Sequence, residues 1–454
     1  MIRTRFAPSP TGSIHIGNAR IAVLNWLIAR RHAGAFILRI EDTDVERNVP
    51  GAEAGIRQDL LWLGLDWDEG PDRPAGHGPY RQSERGAVYA RYAARLLDAG
   101  AAYACTCPAD APGDEAAYQR RAGCDCAGMP RGRGEPGDGM AVVRFRAGGA
   151  DTVSFEDCSR GRIDVPAGDI PDFVVLRADG RPTYNFAVVV DDIEMKISHV
   201  IRGVGHLSNT PRQVLIYGAL NATPPVFVHV PMVLGADRQV LSKRHGAAGV
   251  AEYRAAGYHP DGMVNYLSLL SWSSPSGDEM LTRNQLLAEV SLDRLGVADV
   301  VFDPVKLRWL SGKHIERMAL GDLVDAVRPF IDAGKPDLDD TRLASAVRAV
   351  RTHLATFADI NEQLEAFFPD AHHAPGAGSV PAAAVPILAG VEPWEESALR
   401  DAVQTVGRET GTKGRELYEP LRRALTGRDH GPPLAAVLFV QGRELALRRL
   451  SEGS

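Results

Sequence analysis

The segment SPTGSIHIGN at residues 9–18 joins a polar, turn-rich loop to a histidine and a glycine where a helix is predicted to begin. A helix N-terminus presents free backbone N–H groups and the positive end of the helix dipole, and it therefore favours an anion such as phosphate. His15 and Asn18 add side-chain donors, and Gly17 lets a flat base approach the backbone. The pattern predicts a nucleotide-binding loop, although His-x-Gly alone is more often an ordinary loop histidine.

Two further segments carry residues that suit phosphate chemistry. LSKRHG at 241–246 follows an apolar run, and Lys243 in it can reach a phosphoryl group and stabilise the negative charge of a transition state. Alone, this segment would be an ordinary solvated charge cluster. IEDTD at 40–44 places carboxylates at the end of a predicted strand, where ligands of open α/β sheets bind.

The elements that must position these residues fit an α/β fold. Residues 3–7 predict a short strand, residues 17–32 predict a helix from apolar residues at helical spacing, and the apolar run 35–40 predicts a second strand. Strand, helix and strand in this order form a βαβ unit, which implies a parallel sheet.

The α/β pattern continues after an interruption at 104–139. Residues 173–190 predict two strands joined around Asp179-Gly180, and 199–203 predicts another strand. A helix follows with Thr210 as N-cap and Pro211 in its first turn, and 226–234 is strand-like.

The C-terminal part of the chain predicts helices. No strong strand pattern occurs after about residue 250, and the Ala/Pro-rich stretch 374–390 predicts a linker or an exposed turn.

Composition places the chain among ordinary globular proteins. It has 454 residues, of which 44% are hydrophobic and 24% charged, with a net charge of −7. Its apolar runs are too short for a spanning helix, and the N-terminal MIRTRFAPSP lacks the apolar core of a secretory signal. We therefore expect a cytoplasmic protein that does not bind membranes.

Longer motifs closely resemble the bacterial glutamyl-tRNA synthetases, which are class I aminoacyl-tRNA synthetases with HIGH and KMSKS motifs. The matching segments are RFAPSPTGSIHIGNAR, IEDTD, VLSKRHGA, YRAAGYHPDGMVNYLSLLSW, FDPVKLRWLSGKHI and TGTKGRELYEPLRRALTGRDHGP. They cover nearly the whole chain in order. A small-molecule adenylyltransferase of the same nucleotide fold would not explain the segments after residue 300.

The resemblance implies a Rossmann-like class I catalytic domain with an inserted domain and helical domains after it. The implied divisions are 1–75 with 186–250 for the split catalytic domain, 76–185 for an inserted acceptor-end-binding domain, 251–318 for a stem-contact domain and 319–454 for a helical anticodon-binding region.

The resemblance also implies the reaction and its residues. Glutamate would react with ATP, accompanied by Mg²⁺, and pass to the terminal adenosine of tRNA. The implied catalytic residues are His15 and Lys243. The implied ATP-binding residues are Pro8, Ser9, Gly17, Asn18, Ser242, Lys243 and Arg244. The implied glutamate-binding residues are Arg5, Ala7, Ser9, Glu41, Tyr184 and Arg202.

These implied glutamate contacts make physical sense. Glu41 can pair with the α-ammonium group, while Arg5, Arg202 and the Tyr184 hydroxyl can receive the side-chain carboxylate. Glutamine would leave a buried arginine unpaired, which costs roughly 3–5 kcal/mol. A structural ion pair is the competing explanation for each of these charged residues.

Three positions depart from the family pattern. Val240 stands where lysine is common, Val188 where asparagine is common, and Gly203-Val204-Gly205 where a glycine precedes two acidic residues. Two readings stay open: an active enzyme with an altered pocket, and a degenerate copy that binds tRNA or a partner without catalysis.

Four cysteines form two close pairs, Cys105-x-Cys107 and Cys124-x-Cys126. Four thiolates suit a tetrahedral structural zinc ion, and some glutamyl-tRNA synthetases carry a similar zinc knuckle here. Tyr118 is the rival fourth ligand, and four reduced, unliganded thiols are the alternative to a metal site.

The expected partners are glutamate and tRNA(Glu). Charging of tRNA(Gln), in addition or instead, stays open. A monomer is the family-based expectation for the oligomeric state.

Overall fold

The computed structural model describes residues 1–105, 142–148, 151–241, 249–334, 338–368 and 378–452. These residues form two compact units. The first comprises Met1–Glu252 with Val264–Asp303, and the second comprises Tyr253–Met263 with Pro304–Ser454. No helix within these ranges combines the length and the apolar character needed to cross a membrane.

The first unit contains all the strands that the structure describes. They are β1 Arg3–Phe6, β2 Ala35–Leu38, β3 Ala102–Cys105, β4 Val142–Phe145, β5 Thr152–Asp157, β6 Gly161–Pro166, β7 Phe173–Leu176, β8 His199–Gly203, β9 Val226–Val230, β10 Val233–Leu234 and β11 Val300–Val301. The helices up to residue 289 are α1 Ile16–Arg31, α2 Ala52–Trp62, α3 Gly86–Asp98, α4 Tyr184–Glu194, α5 Thr210–Ala219, α6 Val250–Ala255, α7 Pro260–Leu269 and α8 Arg283–Glu289.

The predicted βαβ unit is confirmed. β1 pairs in parallel with β2, from Arg3 opposite Ala35 to Phe6 opposite Leu38, and the buried helix α1 connects them. The backbone N–H of Ser198 donates to the carbonyl of Arg3 at 3.0 Å, so β8 begins beside β1. Both predicted strands near 199–203 and 226–230 are also present, as the parallel pair β8 and β9.

An antiparallel hairpin extends the parallel pair of β8 and β9. β5 and β6 form a hairpin, and β5 joins β9 at Asp157, so the strand order of this sheet is β6-β5-β9-β8. A separate three-stranded sheet has the order β3-β4-β7.

The predicted hairpin over 173–190 is wrong in its second half. β7 and the turn around Gly180 exist, but the chain then enters helix α4 instead of a strand. Residues Phe186 to Asp192 are buried on successive positions, so a run of β-branched valines packs inside a helix. Tertiary burial overrides the strand preference of those valines here.

The N-cap prediction at residue 210 is also off by one residue. Asn209 occupies the N-cap position of α5, Thr210 is the first helical residue, and Pro211 stands in the first turn as expected.

The second unit is helical, as the sequence predicts. Its helices after residue 303 are α9 Pro304–Arg317, α10 Leu320–Val327, α11 Asp340–Val350, α12 Ile360–Leu364, α13 Ser379–Ala389, α14 Glu396–Thr410, α15 Arg415–Thr426, α16 Leu434–Gln441 and α17 Arg443–Glu452. One apolar core, which includes Val347, Phe367, Leu399 and Val437, holds them together.

The predicted linker at 374–390 is wrong for its described part, because residues 379–389 form helix α13. Val380, Ala384 and Leu388 lie four residues apart and are all buried in the core of the second unit, while Pro386 is exposed. The alanine and proline content concealed this helical spacing. Residues 374–377 lie outside the described part.

A buried ion network connects the elements of the first unit. The carboxylate of Asp191 on α4 accepts hydrogen bonds from Arg85 Nε at 2.6 Å and from the Tyr89 hydroxyl at 3.0 Å. Arg39, fully buried after β2, donates to Asp192 Oδ1 at 2.7 Å and lies 3.6 Å from Asp191. Buried charges need such partners, and removal of one partner leaves the others uncompensated.

We expect Asp191→Asn to lower the free energy of unfolding by about 3 kcal/mol, because Arg39 and Arg85 lose their shared negative charge in a dry interior. Urea denaturation followed by tryptophan fluorescence measures the change. Asp164→Asn is the matched control on the exposed hairpin strand β6 and should shift the midpoint little. Equal shifts for the two variants would contradict a structural role for the network.

Candidate active site

A cavity of about 530 Å³ lies where β1 ends and α1 begins. Its lining includes the predicted residues Arg5, Ala7, Pro8, Ser9, His15, Asn18, Glu41, Tyr184 and Arg202. Gly17 is next to the cavity but not on its lining, and Ser242, Lys243 and Arg244 lie outside the described residues. The structure thus brings together residues that are far apart in the sequence.

His15 forms the N-cap of helix α1. Its Nδ1 accepts a hydrogen bond from the backbone N–H of Gly17 at 3.1 Å. In the neutral ring the proton is therefore on Nε2, which is the atom able to donate to a ligand. A Cβ at Gly17 would lie only 3.0 Å from Cε1 of His15, so a larger residue would displace the imidazole.

The expectation of free N–H groups at this helix start is wrong for Gly17 and Asn18. The Gly17 amide is used by the His15 ring, and the amides of Asn18 and Ala19 both donate to the His15 carbonyl, at 3.0 and 2.9 Å. What the helix offers an anion is its dipole, together with the His15 and Asn18 side chains. The absence of a side chain at Gly17 also leaves room for the imidazole.

Arg5 projects from β1 and is buried against α4. Its Nε donates to Asp192 Oδ1 at 3.3 Å, and the same carboxylate oxygen accepts from Arg39 at 2.7 Å. Burial opposes a charge on Asp192, but the guanidinium groups of Arg5 and Arg39 outweigh it and lower the pKa of Asp192. Arg5 therefore enters the cavity with part of its charge already compensated.

Arg202 at the end of β8 is as buried as Arg5 but has a different set of partners. Its Nε donates to His229 Nε2 at 3.0 Å, and its Nη2 donates at 2.8 Å to Thr210 Oγ1 and to Gln213 Oε1. All these acceptors are neutral. Its Nη1 is buried and has no hydrogen-bond partner among the described residues, nor does any described carboxylate form an ion pair with this side chain.

A buried guanidinium without a carboxylate is unfavourable by itself. Burial lowers the pKa of Arg202, and the positive charge of Arg5 acts in the same direction. An anionic ligand group in the cavity would supply the missing charge and the missing acceptor for Nη1.

Glu41 is a carboxylate on the lining of the cavity. It accepts from Arg39 Nη2 at 3.2 Å, and its backbone N–H donates to the Pro8 carbonyl at 3.0 Å. Burial raises the pKa of Glu41, although Arg39 and Arg5 oppose that shift. An ammonium group bound beside it would favour its ionised form.

His206 lines the cavity and was not among the predicted site residues. Its Nδ1 lies 3.0 Å from the Tyr184 hydroxyl, in hydrogen-bond contact. Desolvation in the cavity and then the charges of Arg202 and Arg5 lower the pKa of His206 to about 4. The only sequence signal was its position four residues after Arg202.

The side chains that depart from the family pattern are not on the lining, although the neighbouring Gly203 is. Val188 is buried in the apolar core of the first unit, and Val204 begins a short 3₁₀ turn. Val240 is exposed. The side chains at these positions therefore do not themselves form part of the described lining.

A second group of potential metal ligands lies in the second unit. The side chains of His259, Asp261 and His314 place one ligand atom each within 4.8 Å of one another. Nδ1 of His259 accepts from the backbone N–H of Asp261 at 3.1 Å, so this histidine caps the start of α7.

Comparison with known families matches the chain over both units. Residues 1–309 match the catalytic domain of class I tRNA synthetases for glutamate and glutamine, and residues 322–454 match an anticodon-binding domain. The chain is 38% identical to a glutamate–tRNA ligase of Desulforamulus reducens, over 99% of this chain and 98% of that protein. It is 40% identical to the glutamate–tRNA ligase of Symbiobacterium thermophilum, over 99% of each protein.

Solved structures give the same answer. The chain matches a glutamate tRNA ligase from Elizabethkingia meningosepticum in complex with its amino acid, with a TM-score of 0.84 and 26% identity over 100% of this chain and 99% of that one. A glutamate–tRNA synthetase from Elizabethkingia anophelis matches with a TM-score of 0.83 and 27% identity over the same shares.

We expect His206 to stay neutral down to about pH 5 in the folded protein, because desolvation and two neighbouring guanidinium groups disfavour its protonated form. An NMR titration of the ring Cε1–H signal, assigned by its loss in His206→Asn, gives the midpoint. In Arg202→Gln the midpoint should move upward. A midpoint near the ordinary value of about 6.5 in the unmodified protein would contradict the assigned environment.

Proposed function

The chain belongs to the glutamyl-tRNA synthetases of class I, and we propose that its cavity binds glutamate and ATP, forms glutamyl-adenylate and transfers glutamate to the 3′ end of tRNA(Glu). The fold is the class I catalytic fold followed by an anticodon-binding domain.

The buried guanidinium of Arg202 supports glutamate as the amino acid, because its hydrogen-bond partners in the described part of the chain are all neutral. A side-chain carboxylate placed between Arg202 and Arg5 would accept from the unpartnered Nη1 and compensate the charge. The Tyr184 hydroxyl lines the same region and can donate to that carboxylate.

Glutamine has nearly the same shape but no charge. In its complex the guanidinium of Arg202 would stay uncompensated in a desolvated site, which costs roughly 3–5 kcal/mol relative to a matched ion pair. Polar groups left unpaired in this way give large discrimination between substrates of similar size.

Adenylate formation needs positioning and charge stabilisation but no side-chain nucleophile. The α-carboxylate of glutamate attacks the α-phosphorus of ATP, and the bond to pyrophosphate breaks. Glu41 would orient the α-ammonium group, and His15 Nε2 with Asn18 would hold phosphate oxygens at the positive end of α1. Mg²⁺ bound with ATP would neutralise phosphate charge.

Ser242, Lys243 and Arg244 are proposed as the other half of the ATP site. They lie outside the described residues, and their assignment depends on the KMSKS-like segment alone. Pro8, Ser9 and Ala7 line the cavity and are proposed as backbone and hydroxyl contacts to the two substrates.

The exact domain boundaries given by the sequence are proposals. The predicted boundary at 318–319 is supported by the interval between the two family matches, which end at residue 309 and begin at residue 322. A monomer in the cytoplasm is proposed from the family resemblance alone.

The experiment that tests this function is side-by-side charging of purified tRNA(Glu) and tRNA(Gln) with labelled glutamate and ATP. We expect charging of tRNA(Glu), and the tRNA(Gln) reaction decides whether the enzyme also makes the misacylated product. Absence of charging and of glutamate-dependent ATP–pyrophosphate exchange with tRNA present would favour a binding protein without catalysis.

Lys243→Ala should lower kcat far more than it raises the KM for glutamate, since a mobile ammonium acts on the transition state.

We also propose a structural zinc ion held by Cys105, Cys107, Cys124 and Cys126. Cys105 is buried at the end of β3, and the other three cysteines, together with Tyr118, lie outside the described residues. The two Cys-x-Cys pairs support the proposal, because paired thiolates are a usual tetrahedral zinc ligand set.

Metal analysis of the purified protein should find about one zinc per chain, and Cys124→Ser should lose it because three thiolates hold the ion poorly. Cys158→Ser, at an exposed cysteine outside the two pairs, is the matched control and should keep the metal. Tyr118→Phe distinguishes the four-cysteine site from the rival site in which Tyr118 is the fourth ligand. It should lower the zinc content only if the phenol binds the metal. Folded protein without zinc would overturn the proposal.

A further inference from the structure

Behind Arg202 lies a line of buried polar groups that reaches across three strands. Asp157 at the end of β5 contacts His229 on β9, and His229 contacts Arg202 on β8. The distances are 2.6 Å from Asp157 Oδ2 to His229 Nδ1 and 3.0 Å from His229 Nε2 to Arg202 Nε. Both side chains of the Asp157–His229 pair are fully buried.

The hydrogen bonds fix the tautomer of His229. Asp157 Oδ2 also accepts from the backbone N–H of His229 at 3.0 Å, and its other oxygen accepts from the amides of Ser159 and Arg160. With a carboxylate at 2.6 Å, Nδ1 carries the proton, so Nε2 is left as an acceptor for Arg202. Without Asp157, the proton could equally be on Nε2 and would face the Nε–H of Arg202.

We propose that His229 and Asp157 are positioning residues for amino-acid selection, which hold Arg202 by a neutral acceptor and so keep its charge for the substrate carboxylate. This inference rests on the proposed function of the cavity. A carboxylate in the place of His229 would hold Arg202 equally firmly, but it would neutralise the guanidinium and compete with glutamate.

The surroundings of the pair agree with a neutral imidazole. Desolvation lowers the pKa of His229, opposed by its hydrogen bond to Asp157, and the charge of Arg202 lowers it further. Thr210 and Gln213, which hold the other edge of the guanidinium, are neutral as well. The imidazole of His229 lies between the carboxylate of Asp157 and the guanidinium of Arg202. Nη1 of Arg202 has no hydrogen-bond partner in the described residues.

Two substitutions of His229 separate positioning from packing. The amide nitrogen of Asn is placed like Nδ1, so His229→Asn keeps a donor for Asp157 and removes the acceptor for Arg202. The amide oxygen of Gln is placed like Nε2, so His229→Gln keeps the acceptor and removes the donor. If His229 only filled space, His229→Gln would have no advantage in glutamate selection over His229→Asn. If it positions Arg202, His229→Gln should keep the selection and His229→Asn should lose it.

The measurement is kcat and KM for glutamate and for glutamine, each in tRNA charging by the full-length protein. In His229→Asn we expect the KM for glutamate to rise roughly 10- to 100-fold, as for loss of a hydrogen bond to a charged group, with a smaller change in kcat. The ratio of kcat/KM for glutamate over glutamine should fall by a similar factor. In His229→Gln the KM for glutamate and the glutamate-to-glutamine ratio should stay within about threefold of the unmodified enzyme. The KM for ATP should be unchanged in His229→Asn and in His229→Gln.

Asp157→Asn tests the tautomer with almost no change in volume. The amides of Ser159 and Arg160 are two donors that need an acceptor, against the single backbone N–H of His229, so the new side chain turns its oxygen towards the two amides and its NH₂ group towards His229. That NH₂ group donates to Nδ1 and makes it the acceptor. Nε2 then carries a proton towards Arg202, and we expect the same loss of glutamate preference as in His229→Asn.

The glutamate-to-glutamine ratio within one variant is insensitive to the fraction of folded protein, so partial unfolding cannot imitate the result. An unchanged ratio in His229→Asn and Asp157→Asn, or an equal fall in His229→Gln, would overturn the positioning role. Calorimetric binding of glutamate to the unmodified protein keeps the two claims apart: no binding and no charging would overturn the proposed function, whereas normal activity with unaffected variants would overturn only this inference.

Discussion

Two adjacent carboxylates on one buried helix, Asp191 and Asp192 of α4, organise the positive charges of the catalytic unit. They contact arginines from three other parts of the chain: Arg5 on β1, Arg39 after β2 and Arg85 before α3. Since a buried arginine without a partner is strongly unfavourable, this pair of carboxylates dictates how α4 must lie against the parallel strands. The cavity forms at the edge of that arrangement.

Arg202, which lines the cavity, lacks such a carboxylate partner among the described residues. Arg5 is compensated by Asp192, whereas within the described ranges Arg202 donates to an imidazole, a hydroxyl and an amide. The protein thus holds a guanidinium group that has no carboxylate partner among the described residues on the lining of the cavity, with hydrogen bonds that fix its position. Such an arrangement favours an anionic ligand group over a neutral group of the same shape.

The sequence predicted the parts of this site that depend on local pattern and on long motifs. The βαβ unit was readable from apolar spacing, and Arg5, Glu41, Tyr184 and Arg202 converge on one cavity as the resemblance implied. Helix α4 was misread because its valines have strand preference, and its burial comes from the tertiary fold.

Other features could not be read from local patterns at all. The Asp157–His229 contact joins residues on two strands well apart in the chain, and neither stands in a motif that was singled out. The hydrogen bond from the Gly17 amide to the His15 ring depends on the geometry of the helix cap, which the pattern His-x-Gly does not specify by itself. His206 becomes a cavity residue only through its contact with Tyr184.

The cap at the start of α1 has a consequence for how this enzyme can change. One imidazole both ends the loop and begins the helix, because its Nδ1 accepts a hydrogen bond from the Gly17 amide, while Nε2 carries the proton of the neutral ring. A residue that replaced His15 would also have to initiate a sixteen-residue helix that is buried along most of its length, which limits how this position can vary. Asn18 lines the same cavity but does not cap the helix, so its side chain can vary with less effect on the start of α1.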